Sequence, residues 1–200
     1  MSLMEYMDEK LIELINFMQE KAAQQAEEDD REELLLEEME EISLLENRVQ
    51  ISLPRAFDIM SPEIAALKYP SEKRPNVIYT DESTTINIGF NYTKTPLDSK
   101  EMDVFKDDMV QILQKTQPIA QWFEDGVEEV DRETIGYCEF LVSALDANVY
   151  VLLFFVELDG NALLCTFNCL EHEMKEWKPI AREIMYSVKI HTVAKGEIDI

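Results

Sequence analysis

The side chains that most often perform chemistry are few in this sequence and poorly spaced for it. The three cysteines, Cys138, Cys165 and Cys169, lie in apolar runs and form no CxxC pair. Burial disfavours the thiolate, so we expect inert thiols and no disulfide framework. The two histidines, His172 and His191, cannot assemble a zinc site without other ligands. The sequence therefore predicts no catalytic residue.

Known cofactor motifs are also missing. The five glycines are scattered, whereas GxGxxG and GxxxxGK[ST] loops need clustered glycines so that backbone amides can approach phosphate. Neither a GxSxG elbow nor a DxDxDG calcium loop occurs. His172 starts a partial HExxH pattern, but Glu176 stands in place of the second histidine. This pair could hold a divalent ion weakly, or form the solvated start of a helix. We expect no cofactor and no metal.

The chain is strongly acidic, with 42 Asp and Glu against 18 Lys and Arg and a net charge of −24. Such a charge repels phosphate backbones and anionic lipid surfaces, so we expect neither nucleic-acid nor membrane binding. Solubility is the simplest interpretation, and mimicry of a polyanion toward a basic partner is the alternative. No run approaches the ~18 apolar residues of a membrane span, and no signal-peptide pattern is visible. We therefore expect a cytoplasmic protein.

Residues 1–41 differ from the rest, because they carry 15 acidic and three basic side chains and contain neither proline nor glycine. Met7, Leu11, Leu14 and Met18 recur at helical spacing, which predicts an amphipathic helix in this acidic N-terminal arm. The pattern covers about two heptads, too few for a coiled coil. Such a face must dock on its own domain, on a second copy or on another protein, and methionine-rich faces are adaptable binding surfaces.

From Ile42 onward, alternating apolar runs separated by turn residues replace the helical pattern. The predicted strands are 42–45, 49–53, 77–80, 86–93, 122–130, 136–145, 149–158 and 162–169, with a turn or bulge at Asp125-Gly126 in the fifth. The predicted helices are 61–69, 98–117 and 171–188.

This order of elements predicts an α+β fold. Most strands follow one another as hairpins, so the sheet is expected to be largely antiparallel. Residues 149–156 are apolar on both faces, which indicates an interior strand covered on each side by the long helices. We therefore predict an α/β/α sandwich over residues 42–191, preceded by the helical arm and followed by a tail at 192–200.

A loose pattern of strand ends and prolines resembles a known family. The residues that carry it are Ile51-Ser52-Leu53-Pro54, Tyr69-Pro70, Arg74-Pro75 with Val77-Ile78-Tyr79-Thr80, and Trp177-Lys178-Pro179-Ile180-Ala181-Arg182. Together they resemble the PsbP-like/Mog-type α/β/α sandwich family, in particular its bacterial, largely uncharacterised DcrB-like branch. The resemblance covers about the C-terminal three-quarters of the chain. It implies the fold and an accessory or binding role, but no site residues.

Two regions of the predicted sandwich are candidate binding sites. The loop with Tyr69, Lys73, Arg74 and Tyr79 places cations among aromatic residues and prolines, a composition that is favoured at interfaces. Its alternative role is local packing. On the strand 86–93, Asn87, Gly89 and Asn91 share one polar face with room for a ligand, or lie on an exposed sheet face.

The sequence thus favours a non-enzymatic cytoplasmic interaction or accessory protein that acts through protein–protein contacts. The N-terminal helix would provide contact with a partner or with a second copy. The alternative is a small-ligand-binding protein or an enzyme, with a pocket on the sheet face near Asn87, Asn91 and Arg74.

Overall fold

The computed structural model divides the chain into two compact units, Met1–Glu38 and Met39–Ile200. The residues that it describes are 17–26, 31, 34–36, 38–71, 74–144 and 146–191. In the first unit, residues 17–26 are helical and exposed. The predicted boundary at residue 41 differs slightly, since the first strand already begins at Met39.

The described part of the second unit contains ten strands, three α-helices and two 3-10 turns. The strands are β1 (Met39–Leu44), β2 (Val49–Pro54), β3 (Asp58–Ile59), β4 (Val77–Thr80), β5 (Asn87–Pro96), β6 (Ile119–Val130), β7 (Glu133–Ser143), β8 (Asn148–Leu158), β9 (Asn161–Leu170) and β10 (Lys189–Ile190). The helices are α1 (Pro62–Lys68), α2 (Met102–Thr116) and α3 (Met174–Tyr186), and the 3-10 turns Ser99–Glu101 and Glu171–Glu173 precede α2 and α3.

The strands form two antiparallel sheets. The larger has the order β3-β4-β5-β9-β8-β7-β6, and the smaller has the order β1-β2-β10. Hairpins connect β6 through β9, and the tight turn between β8 and β9 has positive φ at Asp159 (51°) and Gly160 (78°), as the Asp-Gly pair predicts. The predicted α+β fold with largely antiparallel strands is confirmed, and the apolar segment 149–156 lies in the interior strand β8.

Alternation along the central strands gives the large sheet two buried faces. On one face, Phe140 of β7 and Phe155 of β8 belong to a core cluster with Met102, and Phe105 of α2 packs against it. The rings of Phe105 and Phe155 lie 5.1 Å apart. On the opposite face, α3 contributes Trp177, whose indole stacks on Phe167 of β9 at 6.1 Å.

Three details of the sheet differ from the sequence prediction. β3 and β10 were not predicted, because two-residue strands leave no periodic pattern. The irregularities of β6 lie between Ile119 and Gln121 and between Trp122 and Glu124, not at Asp125-Gly126. Gly126 pairs regularly with Tyr137, and a Cβ at Gly126 would lie 3.1 Å from Cε1 of that ring. The glycine therefore accommodates an aromatic ring and does not mark a turn.

Candidate functional site

The predicted binding loop begins where α1 ends. Ser61 caps this helix by accepting a hydrogen bond from the backbone N–H of Ile64 at 3.4 Å, and Pro62 occupies its first position. The helix ends at Lys68 with Tyr69 as its C-cap, and Pro70, which cannot continue a helix, follows directly. Tyr69 and Arg74 belong to the described residues, whereas Lys73 lies outside them.

Pro75 closes the polar strand face that the sequence indicated as a ligand site. A Cβ at Gly89 would lie 2.6 Å from Cγ of Pro75, so the proline ring rests directly on the glycine backbone. Asn87 is buried and Asn91 partly buried, and β5 is an interior strand between β4 and β9. The single pocket predicted near Asn87, Asn91 and Arg74 is therefore replaced by two separate cavities.

The first cavity has a volume of about 240 Å³ and brings two predicted residues, Tyr69 and Asn87, together. Thr80 Oγ1 donates a hydrogen bond to Asn87 Oδ1 at 2.8 Å. Asn87 Nδ2 donates to Asn168 Oδ1 at 3.2 Å, and Asn168 Nδ2 donates to the Tyr69 hydroxyl at 3.3 Å. Burial raises the pKa of Tyr69, so its hydroxyl stays protonated at neutral pH. Most polar groups here already bond to one another.

The second cavity, the edge groove, has a volume of about 310 Å³ and lies at the β3 edge of the large sheet. Its lining residues are mainly aliphatic: Ile59, Met60, Pro62, Ala65, Arg74, Pro75, Asn76, Val77 and Ile78. Arg74 is exposed, and no carboxylate among the described residues forms an ion pair with its guanidinium. The groove therefore combines an apolar wall with a cation that has no ion-pair partner in the described part of the chain.

The other predicted residues of this region lie apart from both cavities. The Tyr79 ring packs edge-on against Phe90 at 6.2 Å, and burial raises its pKa. Asn91 is paired with Leu164 of β9 in the sheet register. Neither side chain lines the two cavities, so the predicted set is only partly brought together.

Exposed aliphatic side chains lie on α1 and on β3, where Ile59 also lines the edge groove. Ile59 is 66% exposed, Leu67 82% and Ile64 37%, and α1 has no buried residue. We call these three side chains the aliphatic face. A seven-residue helix gains little stability from its own hydrogen bonds, and α1 buries no apolar side chain to compensate. This surface is the strongest binding feature among the described residues.

A third cavity, of about 440 Å³, lies between the β6–β7 turn and β10. Three of its polar side chains, those of Glu133, Lys189 and His191, are engaged in structural contacts. Glu133 Oε1 accepts a hydrogen bond from the Ile190 backbone at 3.1 Å, Lys189 forms an ion pair with Glu41 at 3.1 Å, and His191 Nε2 lies 2.6 Å from Gln50 Oε1. These contacts tie β10 to its neighbours, and we assign this region a structural role.

A buried ionic cluster, which the sequence did not indicate, links α3 to the large sheet. Glu139 of β7 is completely buried and forms ion pairs with Lys178 and Arg182 of α3. Arg182 Nη2 also donates to Glu124 Oε2 of β6 at 2.9 Å, and its guanidinium lies 4.4 Å from the centre of the Tyr137 ring. Burial alone would lower the pKa of Arg182, but interactions with Tyr137 and Glu139 offset this and raise it.

This cluster is unsuited to catalysis in the described conformation because Glu139 has no exposed surface that a substrate could reach. The hydroxyl of Tyr150 is buried, and burial together with the charge of Glu139 raises its pKa. Lys178 Nζ lies 5.0 Å from the centre of the Phe123 ring. The cluster therefore serves to hold α3 on the sheet.

The three cysteines are buried and unpaired. Burial raises the pKa of Cys138 and of Cys169 to about 12, and it raises the pKa of Cys165 as well. Thiols with such pKa values contain almost no thiolate at neutral pH. Among the described residues, no group of three or more His, Cys, Asp or Glu side chains could hold a metal ion.

Most of the predicted N-terminal binding stripe lies outside the described residues: Met7, Leu11 and Leu14. Met18 is described and is 62% exposed on its helix, next to Phe17, which is 55% exposed. Throughout the described ranges, the helices are too short or too polar to cross a membrane.

No protein-family model and no curated protein matches the chain. Among solved structures it is similar to the cyanobacterial PsbP protein CyanoP of Synechocystis, with 12% identity, a TM-score of 0.54 and coverage of 77% of this chain and 93% of that one. It is also similar to LpqN of Mycobacterium tuberculosis, which is involved in cell envelope biogenesis, with 12% identity, a TM-score of 0.48 and coverage of 77% and 92%. The likeness to CyanoP shows the fold alone, and the predicted PsbP-like fold is confirmed.

The contact between Pro75 and Gly89 predicts an overpacking effect. Gly89→Ala should lower the free energy of unfolding by about 1–3 kcal/mol, because the added methyl group displaces the proline ring. Urea denaturation measures the loss. In a Pro75→Gly background the same change should cost clearly less, and an equal loss in both backgrounds would contradict the contact.

The Glu139 cluster predicts that the stability of the fold depends strongly on the cations that pair with Glu139. Arg182→Met should lower the free energy of unfolding by about 3–5 kcal/mol, since it leaves a buried carboxylate poorly compensated. The double variant Glu139→Gln/Arg182→Met should recover much of this loss. Arg132→Met, on the exposed β6–β7 turn, is the matched control, with an expected change within about 0.5 kcal/mol. A loss in Arg182→Met no larger than in this control would exclude the predicted role.

The cysteines predict low thiol reactivity in the folded protein. At about pH 8, a disulfide reagent such as DTNB should react with none of the three thiols unless guanidinium chloride is added. Because the pKa of each thiol is higher in the folded protein than in the unfolded chain, the thiols stabilise the fold at pH values below the ordinary thiol pKa. This contribution is lost as the pH rises through the pKa of the folded state. Unfolding free energy should therefore fall between about pH 9 and pH 12. Rapid labelling of the native protein by DTNB would contradict the burial of the three cysteines.

Proposed function

We propose that this chain is a non-enzymatic interaction protein that binds a protein partner through the aliphatic face and the edge groove. The observation that carries the proposal is α1, a helix at the sheet edge with no buried residue and with Leu67 82% exposed. Several exposed large apolar side chains on neighbouring elements are typical of interaction sites in soluble proteins.

The remainder of the domain favours binding over chemistry. The buried thiols are poor nucleophiles because their pKa values are raised, and Glu139 has no contact with solvent. Exposed charged residues of both signs also occur close in sequence to the aliphatic face, among them Asp58, Glu63 and Lys68, and the exposed Arg74 lines the edge groove. Apolar surface accompanied by polar and charged residues is common in protein interfaces.

Three further parts of the proposal come from the sequence. The acidic N-terminal helix would add a second contact, with the partner or with another copy, and the exposed Phe17 and Met18 support this. A cytoplasmic location is supported by three cysteines that form no disulfide. The placement in the DcrB-like branch is supported by the strand-end and proline motifs.

A small-ligand site is the second candidate function. The cavity of about 240 Å³ favours it, because Tyr69, Asn87 and Asn168 converge there. We rank it second since its amides already bond to one another and its volume is below the usual range of about 300–1,000 Å³.

The proposal predicts that partner capture depends on the aliphatic face. Ile59→Thr/Leu67→Gln should abolish capture of the partner from extracts of the source cells, with little change in stability because both side chains are exposed. Val104→Thr/Ile112→Gln, which alters exposed aliphatic residues of α2, is the matched control. Quantitative mass spectrometry compares the captured proteins. Equal loss in both variants, or in neither, would refute the assignment of this surface.

A further inference from the structure

We infer that the edge groove recognises an extended segment of the partner in which an aliphatic side chain neighbours a carboxylate, and that this carboxylate pairs with Arg74. This inference rests on the proposed function, because it names the chemistry of the partner at the same surface. It follows from the apolar lining of the groove, from the lack of an acidic neighbour of Arg74 among the described residues, and from the exposed surface around the groove.

The lining selects an aliphatic anchor. Seven of the nine lining residues are apolar, and they come from β3, the adjacent Met60, α1, Pro75 and β4. A volume of about 310 Å³ accommodates one or two side chains but no large ligand. The side chain of Asn76 is not free to select a polar group, since its Oδ1 accepts a hydrogen bond from the Tyr92 backbone at 3.1 Å.

Arg74 selects a carboxylate beside that anchor. The chain has 42 acidic and 18 basic side chains, and three described arginines have acidic neighbours: Arg48 lies 2.8 Å from Asp159, Arg55 lies 3.8 Å from Glu40, and Arg182 pairs with Glu139. Arg132 has none among the described residues, but it lies outside the groove. Within the described ranges, Arg74 has no such neighbour and lines an apolar groove. A guanidinium binds carboxylates with two parallel hydrogen bonds, so an acidic group entering the groove would be oriented as well as attracted.

The surface around the groove favours a partner protein over a small molecule or a second copy of this chain. Ile64 and Leu67 lie outside the groove, so a small molecule held within it would leave most of the aliphatic face exposed. A protein segment that continues over α1 would cover them. A second copy would bring another net charge of −24 close to the first, and long-range repulsion opposes this association.

The test uses two isosteric peptides and the full-length ¹⁵N-labelled protein. The probes are Ac-Ala-Leu-Glu-Leu-Ala-NH₂ and the same peptide with Gln in place of Glu, titrated while the amide signals of Ala65, Asn76 and Val77 are followed. The Glu peptide should bind about two to five times more tightly, the range of an exposed ion pair. Arg74→Gln should remove this preference, whereas Arg132→Gln, at an exposed arginine outside the groove, should retain it.

Each alternative has a distinct outcome. A Glu/Gln affinity ratio near one, or a ratio unchanged by Arg74→Gln, overturns the inference even if capture still depends on Ile59 and Leu67. Amide shifts induced by dodecanoate but by neither peptide would overturn it in favour of a fatty acid. A dimer in light scattering that Ile59→Thr dissociates would overturn it in favour of a second copy. If Ile59→Thr/Leu67→Gln leaves partner capture unchanged while the Glu peptide still binds more tightly than the Gln peptide, the result would instead count against the proposed function.

Discussion

The buried charge of Glu139 is the constraint on which the arrangement of α3 depends. An ionised carboxylate without access to water is costly unless cations and hydrogen bonds compensate it. Both cations come from α3, where Lys178 and Arg182 are four residues apart and therefore lie on one helix face. Because Arg182 also reaches Glu124, the same interaction connects the helix to strands β7 and β6. This charge, together with the buried apolar residues of α3 such as Trp177 and Ile184, thus fixes the helix on the sheet.

The two edges of the large sheet are built differently, and this directs the proposed interaction to one of them. β6 carries Glu124, Glu128 and Glu129 and two irregularities of register, features that discourage pairing with other strands. At the opposite edge, β3 is only two residues long and is followed by the aliphatic face of α1. One edge therefore repels neighbours by charge, while the other offers apolar surface next to a single arginine.

Pro75 explains why the predicted ligand site and the observed groove differ. By resting on Gly89, its ring fills the space above the polar face of β5 and separates Arg74 from Asn87. Asn87, Asn168 and Tyr69 form hydrogen bonds with one another, whereas Arg74 lines the edge groove. The same loop therefore completes the core on one side and forms the wall of the edge groove on the other.

Local patterns determined most of the secondary structure: the apolar face of α2, the Ser61-Pro62 start of α1 and the Asp159-Gly160 hairpin all follow from neighbouring residues. Tertiary structure decided the rest. The pairing of Glu139 with Arg182 joins residues 43 positions apart, and the contact of Pro75 with Gly89 depends on how a loop crosses a strand. Neither leaves a periodic signal, because such contacts arise only when distant segments pack together. The sequence by itself therefore indicated a loop with candidate binding residues, and only packing decided that Arg74 lines an apolar groove while Tyr79 packs against Phe90.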